Sequence, residues 1–232
     1  MVKLIVAGAA GRMGTRIIAL AQEDPEFQVL YGLDVESKVL PGNVPSGPDL
    51  SQVQKADVLI DFSVPEATLK LAETAAKQKK PMVIGTTGFS PEQDKVLAGL
   101  AKTIALVKAP NMSLGVNVFF RLAQDTARSL KGYAVEIIEA HHVHKKDAPS
   151  GTALYAGGLI EKVTGKAVKY QSVREGEIIG DHRVIFTGPT DRLELFHHAA
   201  SRDMFATGAL QAAKWVVEQT PGLYSMQDVL GL

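Results

Sequence analysis

The chain has 232 residues, 46% of them hydrophobic, with 25 basic and 25 acidic side chains and no cysteine. That much apolar material suits one large or two small domains without a disulfide or metal staple. Balanced charge gives no reason to expect a nucleic-acid partner, and the missing thiols exclude disulfide frameworks, thiol catalysis and cysteine-based zinc sites. No apolar stretch approaches the roughly 20 residues that span a bilayer, and the first residues lack signal-peptide architecture. The expectation is a cytoplasmic protein with no membrane partner.

The first half alternates apolar runs with amphipathic segments, the pattern of βαβ units and a parallel sheet. Residues 2–7 read as a buried strand, and 11–22 as a helix with Met13, Ile17, Ile18 and Leu20 along its apolar stripe. Residues 27–33 read as the second strand, ending at Asp34. Residues 35–55 hold Pro41, Gly42, Pro45, Gly47 and Pro48 and predict an irregular crossover. A strand over 56–62 leads into Ser63-Val64-Pro65-Glu66, where Ser63 can cap the next helix. A strand over 81–85, a helix capped by Ser90 and a strand over 104–109 close the series.

The pattern then changes. Residues 113–130 predict a long helix, 134–140 a strand and 151–163 another helix. Strand-like segments follow one another with short turns up to His198, which predicts a mixed or antiparallel sheet. Residues 207–219 are again an amphipathic helix. The expected fold is therefore α/β: a Rossmann-type dinucleotide-binding domain over 1–112 and 206–232, and a second α+β domain with a mixed sheet over 113–205.

The first predicted turn reads Gly8-Ala9-Ala10-Gly11-Arg12-Met13-Gly14. Glycines there let a backbone approach a pyrophosphate, and free N–H groups at the helix start bind its charge. The spacing is G-x-x-G-x-x-G rather than the usual G-x-G-x-x-G, so an ordinary strand-to-helix turn stays open as the bland alternative. Asp34 stands about 20 residues after Gly14, where a carboxylate accepts from ribose hydroxyls. It also repels a 2′-phosphate, so NADH is expected to serve at least as well as NADPH. Gly85-Thr86-Thr87 and Ala109-Pro110-Asn111-Met112 follow predicted strands and are further candidates for the cofactor crevice.

The stretch Glu139-Ala140-His141-His142-Val143-His144-Lys145-Lys146-Asp147-Ala148-Pro149-Ser150-Gly151-Thr152 gathers three of the six histidines and two lysines within a few residues. Histidine is suited to proton transfer near neutrality, and lysine offers positive charge to a carboxylate. Ser150, Gly151 and Thr152 stand at a helix start that favours an anion. Together these groups suit a small dicarboxylate. Two bland readings stay open: a solvated basic loop with Ser150 as a plain cap, and a metal pair of His142 and His144. No H-E-x-x-H motif supports a metal, and none is expected. His197 and His198 read as strand-end residues.

The chain as a whole resembles the bacterial 4-hydroxy-tetrahydrodipicolinate (dihydrodipicolinate) reductases. The resemblance rests on the glycine turn, Asp61-Phe-Ser-Val-Pro-Glu66, Gly85-Thr-Thr-Gly-Phe89, Ala109-Pro-Asn-Met-Ser-Leu-Gly-Val-Asn117, the stretch from Glu139 to Thr152, and Gly222-Leu-Tyr-Ser-Met-Gln-Asp-Val-Leu230. It implies NAD(P)H-dependent reduction of a cyclic dicarboxylate on the diaminopimelate route to lysine. By analogy His141 is the proton donor and Lys145 the second catalytic group, while His142, Gly151 and Thr152 contact the substrate carboxylates. The residues from Gly8 to Met13, Asp34, Gly85, Thr86, Thr87 and Ala109 to Met112 hold the cofactor. The resemblance also implies a homotetramer built through the second domain, with Arg202 and Phe205 helping to close the cleft. The crossover and the region 166–172 are shorter than in many members, and an acid-arginine pair at the cofactor ribose is absent.

Two other functions fit parts of the pattern. An aspartate-type dehydrogenase shares the first domain but has no need of the dense His/Lys stretch. A non-catalytic NADH sensor has no use for a proton donor and usually carries a DNA-binding element, of which nothing is visible.

Overall fold

A computed structural model describes residues 1–232 and resolves them into two units: Met1–Ser113 with Asp203–Gly231, and Leu114–Arg202 with Leu232. The first unit is built on seven strands: β1 (Val2–Ala7), β2 (Phe27–Leu33), β3 (Ser46–Gly47), β4 (Val58–Asp61), β5 (Met82–Ile84), β6 (Ala105–Lys108) and β11 (Gly222–Tyr224). They lie in the order β11-β6-β5-β4-β1-β2-β3, with every pairing parallel. The central strands are continuous apolar runs because helices cover both faces. α2 (Pro65–Lys77) and α3 (Pro91–Leu100) pack Leu71, Ala72, Ala75 and Leu97 against Ile5, Leu59, Ile84 and Leu106. α1 (Arg12–Glu23) and α6 (Asp203–Val216) contact each other and the remaining strand faces. A short α7 (Met226–Leu230) ends the unit, its capping box formed by Ser225 and Asp228.

The crossover between β2 and β4 is irregular, as its prolines require. It holds two 3₁₀ turns, Pro41–Asn43 and Leu50–Lys55, around the two-residue β3. Most element ends shift by one to three residues from the sequence reading, and two helix starts differ for a physical reason. Ser63 does not cap α2: the N-cap is Val64 without a side-chain bond, and the Ser63 hydroxyl donates instead to Asp61 at 2.5 Å. Ser63 stands one residue before that cap, with its hydroxyl turned toward the buried Asp61 carboxylate. Helix α6 starts at Asp203, four residues earlier than predicted, and Asp203 is held by a two-pronged bond from Arg16 of 2.6 and 2.8 Å.

The second unit has four strands in the order β10-β9-β7-β8: β7 (Ala134–His141), β8 (Lys169–Arg174), β9 (Asp181–Thr187) and β10 (Arg192–His198). β7 and β8 are parallel, joined through α5 (Gly151–Thr164), and the other pairings are antiparallel, so the sheet is mixed. α4 (Leu114–Ser129) and α5 cover one face, where Phe119, Phe120, Ala156 and Ile160 meet Ile137, Val184 and Phe186. No helix of the chain is long and apolar enough to cross a membrane.

Candidate active site

In the first unit the glycine turn follows β1, Asp34 follows β2, Gly85 to Thr87 follow β5 and Ala109 to Met112 follow β6. All therefore stand at the carboxyl ends of parallel strands, around the β1/β4 point where strand order reverses and open α/β sheets take ligands. Gly8 has φ +69, and a Cβ added there would lie 2.3 Å from the Phe62 carbonyl oxygen. One added at Gly14 would lie 2.2 Å from the Gly8 oxygen, so α1 can approach β1 this closely only with glycine.

Gly11 is the N-cap of α1, with no side-chain cap and no acid in the first turn. The first-turn N–H groups lack intrahelical acceptors, and the helix dipole favours an anion there. Asp34 closes the turn: one carboxylate oxygen accepts from the Ala10 N–H at 2.8 Å and the other from its neighbour Val35 at 2.8 Å. This cradle fits a dinucleotide pyrophosphate, with an acid placed for a ribose.

The loops are braced from within. Asp61, fully buried at the end of β4, accepts from the hydroxyls of Ser63, Thr68 and Thr86, the last at 2.9 Å. The Thr86 hydroxyl also accepts from the Ser63 N–H at 3.0 Å. Burial pushes the Asp61 carboxyl above the usual range against the pull of those hydroxyls. Thr86 thus faces inward while Thr87 is exposed. In the β6 loop Ala109, Asn111 and Met112 are buried, with Asn111 Oδ1 accepting from Ser113 N–H, and Pro110 is exposed.

In the second unit β7 ends at His141, and residues 142–149 form the loop to α5. Side chains two apart on a strand share a face, so Glu139 and His141 point to one side. Sheet register sets Arg174 of β8 opposite His141 and His182 of β9 opposite Glu139. Glu139 is fully buried. One oxygen meets His141 Nδ1, and Arg174 donates to both oxygens at 2.8 and 3.0 Å. The Ser150 N–H adds a bond at 3.3 Å. Burial works to raise this carboxyl, but bonds from Arg174, Ser172 and His141 hold it down at about 2, so it is ionised.

An ionised carboxylate only accepts, which assigns a proton to His141 Nδ1 and leaves Nε2 as the exchanging nitrogen. A Cβ at residue 180 would lie 3.1 Å from that Nε2; Gly180 leaves the approach open. Burial pulls the His141 ring below its usual value, with Glu139 opposing and Lys145 and Arg174 adding to the fall. His182 lies edge-on to His141 at 5.2 Å between ring centres and is pulled down to about 4, chiefly by burial.

Lys145 pairs with Asp147 at 2.9 Å. Ser150 caps α5 by accepting from the Ala153 N–H, and its hydroxyl also meets His182 Nε2 at 3.2 Å. Its polar groups are therefore engaged within the unit; in the first turn of α5 Gly151 is exposed and Thr152 half-buried. His142 is half-buried beside Arg202, its Nε2 3.4 Å from that guanidinium. His144 is exposed and 4.0 Å from Glu177, and no group of three or more His, Cys, Asp or Glu side chains is placed to hold a metal. His198 pairs with Asp181 at 2.6 Å; the His197 ring is tilted against that of Phe119, 6.3 Å between centres. Phe205 lies on α6 of the first unit. A surface hollow lined by Tyr133, Glu136, Lys166 and Lys169 lies at the other end of β7 and contains none of these groups.

Residues 2–112 match the dihydrodipicolinate reductase N-terminal family and residues 115–230 the C-terminal family of the same enzymes. The chain belongs to the dihydrodipicolinate reductase family. The 4-hydroxy-tetrahydrodipicolinate reductase of Geotalea uraniireducens is 44% identical with both chains fully covered. That of Caldanaerobacter subterraneus is 42% identical over 99% of this chain and 98% of its own. The fold also matches the dipicolinate-bound dihydrodipicolinate reductase of Paenisporosarcina (TM-score 0.89, 24% identity, 98% of each chain). It matches more loosely the aspartate dehydrogenase of Thermotoga maritima (TM-score 0.57, 15% identity, 95% and 97%).

Four side chains of this family member escaped the sequence reading. Glu139 carried a signal, an acid two residues before His141 on one strand face. Arg174 and His182 carried none, because only sheet register brings them to β7. Asp61 was visible within a motif, but not as the acceptor of three hydroxyls.

Proposed function

We propose that this chain is a cytoplasmic 4-hydroxy-tetrahydrodipicolinate reductase that uses NADH at least as well as NADPH. The overall change removes the substrate's hydroxyl as water and adds a hydride and a proton, giving tetrahydrodipicolinate and the oxidised nicotinamide. One observation carries the reading of the second unit: a buried imidazole, tied through Nδ1 to an ionised carboxylate, stands in the same loop system as Lys145 and the α5 start.

When bound, the reduced nicotinamide supplies the hydride. The glycine turn and the α1 start neutralise the pyrophosphate, and Asp34 accepts from the adenosine ribose while disfavouring a phosphate on it. Lys145 and the first turn of α5 at Gly151 and Thr152 hold the two carboxylates, with His142 and Arg202 adding donors. Ser150 keeps that turn in place. His141 Nε2 delivers the proton to the carbon beside the one that receives hydride, and Glu139 stabilises the cationic ring beforehand.

The sheet face opposite α4 and α5 exposes Phe196 and Val173, a surface suited to the homotetramer this family resemblance implies; light scattering should return four times the chain mass. The function itself is tested by mixing the protein with NADH and the condensation product of pyruvate and aspartate semialdehyde. Loss of nicotinamide absorbance in proportion to substrate is expected. No oxidation above background would overturn the assignment.

A further inference from the structure

Arg174 is unusual in this unit for the number of things it holds at once. Besides both oxygens of Glu139, its guanidinium donates to the backbone oxygens of Lys145 at 3.3 Å, Asp147 at 2.5 Å and Val173 at 2.6 Å. Only a planar fork with five N–H donors can serve that many acceptors in fixed directions. Glu139 in turn touches the His141 ring and the N–H of Ser150. One ion pair, its carboxylate buried and its guanidinium half-buried, therefore joins the ring at the end of β7, the loop carrying Lys145 and the start of α5.

We propose that Glu139 and Arg174 are the positioning residues of this site: Glu139 fixes His141 with Nδ1 protonated and Nε2 toward the substrate, and Arg174 sets the Lys145 loop relative to that ring. Neither touches substrate. The inference rests on the reading of His141 as proton donor. Replacing such a pair by apolar side chains often costs a fold nothing, so stability alone does not account for an ion pair at this place. The charged and titratable groups facing His141 are Glu139 on its own strand, Arg174 on β8, His182 on β9 and Lys145 in the loop.

Glu139→Gln keeps the side-chain shape and removes the charge. Three readouts follow, after thermal unfolding has shown the variant folded. Nitrogen NMR of the His141 ring should change from a single Nδ1–H tautomer to a mixture, with the titration midpoint moving down. Turnover should fall by at least tenfold but by no more than the His141→Ala loss, about 10² to 10⁴, because Glu139 acts only through that ring. The NADH KM should stay within about twofold, since the cofactor contacts are elsewhere. In a His141→Ala background the added Glu139→Gln change should cost less than about threefold.

Arg174→Lys keeps the charge but not the fork, so it should raise the dicarboxylate KM by more than about threefold. It decides the matter if Glu139→Gln does not fold. An unchanged ring tautomer in Glu139→Gln, the same fractional loss with and without His141, or a native KM in Arg174→Lys would overturn the inference. Native turnover in His141→Ala would instead overturn the reading of His141 itself, so the two failures are distinguishable.

Discussion

The Lys145 ammonium lies 2.9 Å from the Asp147 carboxylate, so the cation assigned to a substrate carboxylate already has one of the chain's own. Asp147 is exposed, and its carboxyl is held below the usual range first by that lysine, with the Gly151 N–H contributing. A dicarboxylate must therefore compete with Asp147 for the same donors. Exposed ion pairs are worth roughly 0 to 1 kcal/mol, or up to about fivefold in binding. Asp147→Asn should lower the substrate KM within that range, and Lys145→Ala should raise KM and reduce turnover. Steady-state kinetics check both; a KM that rises in Asp147→Asn would mean the acid serves to hold Lys145 in place.

The rate should depend on pH in two different ways. A proton donor must be charged, so activity falls as pH rises through the His141 value. In the free protein burial pulls that value below the ordinary 6.5, and the kcat/KM limb should therefore lie below 6.5. Two bound carboxylates favour the imidazolium, so the limb in kcat should lie at higher pH. Coincident limbs would show that the substrate charge does not reach the ring.

Stability should fall on acidification because of His182. Its folded value is about 4 against an ordinary 6.5, so the unfolded chain takes up the proton first. The sign follows: stability is full above pH 6.5 and is lost as pH falls toward 4. At 1.36 kcal/mol per unit this is on the order of 3 kcal/mol. His182→Asn, which can still meet Ser150, should flatten the dependence. A Tm that falls equally steeply in this variant would place the effect elsewhere.

Cofactor choice should follow the charge of Asp34. Asp34→Asn keeps an acceptor for the Ala10 N–H and removes the repulsion toward a 2′-phosphate. The ratio of kcat/KM for NADPH to that for NADH should rise roughly tenfold, the equivalent of about 1.4 kcal/mol. An unchanged ratio would remove Asp34 from the selection of cofactor.

What could be read from the sequence was whatever lies close together along it. The β1–turn–α1 unit declared itself because Gly8, Gly11 and Gly14 sit within one short stretch with apolar runs on each side. Asp34 followed from its place at the next strand end. The residues from His141 to Thr152 stood out by composition. Interactions across strands were silent: nothing in the sequence pairs Arg174 or His182 with β7, since that depends on register. Ser63 had the right type for a cap, but the helix begins one residue later and the hydroxyl turns to the buried Asp61 carboxylate. The start of α6 was missed because Asp203 is fixed by Arg16, far away in the chain, and not by the apolar stripe that begins further on.

The most direct test of the proposed chemistry follows where the new hydrogens come from. With NADH deuterated at the hydride-donating carbon, the tetrahydrodipicolinate formed should carry one deuterium per turnover by mass spectrometry. With unlabelled NADH in heavy water, the deuterium should appear at the adjacent carbon, and its delivery should slow with His141→Ala. Product free of the cofactor's label, or labelled only from solvent, would contradict direct hydride transfer and the function built on it.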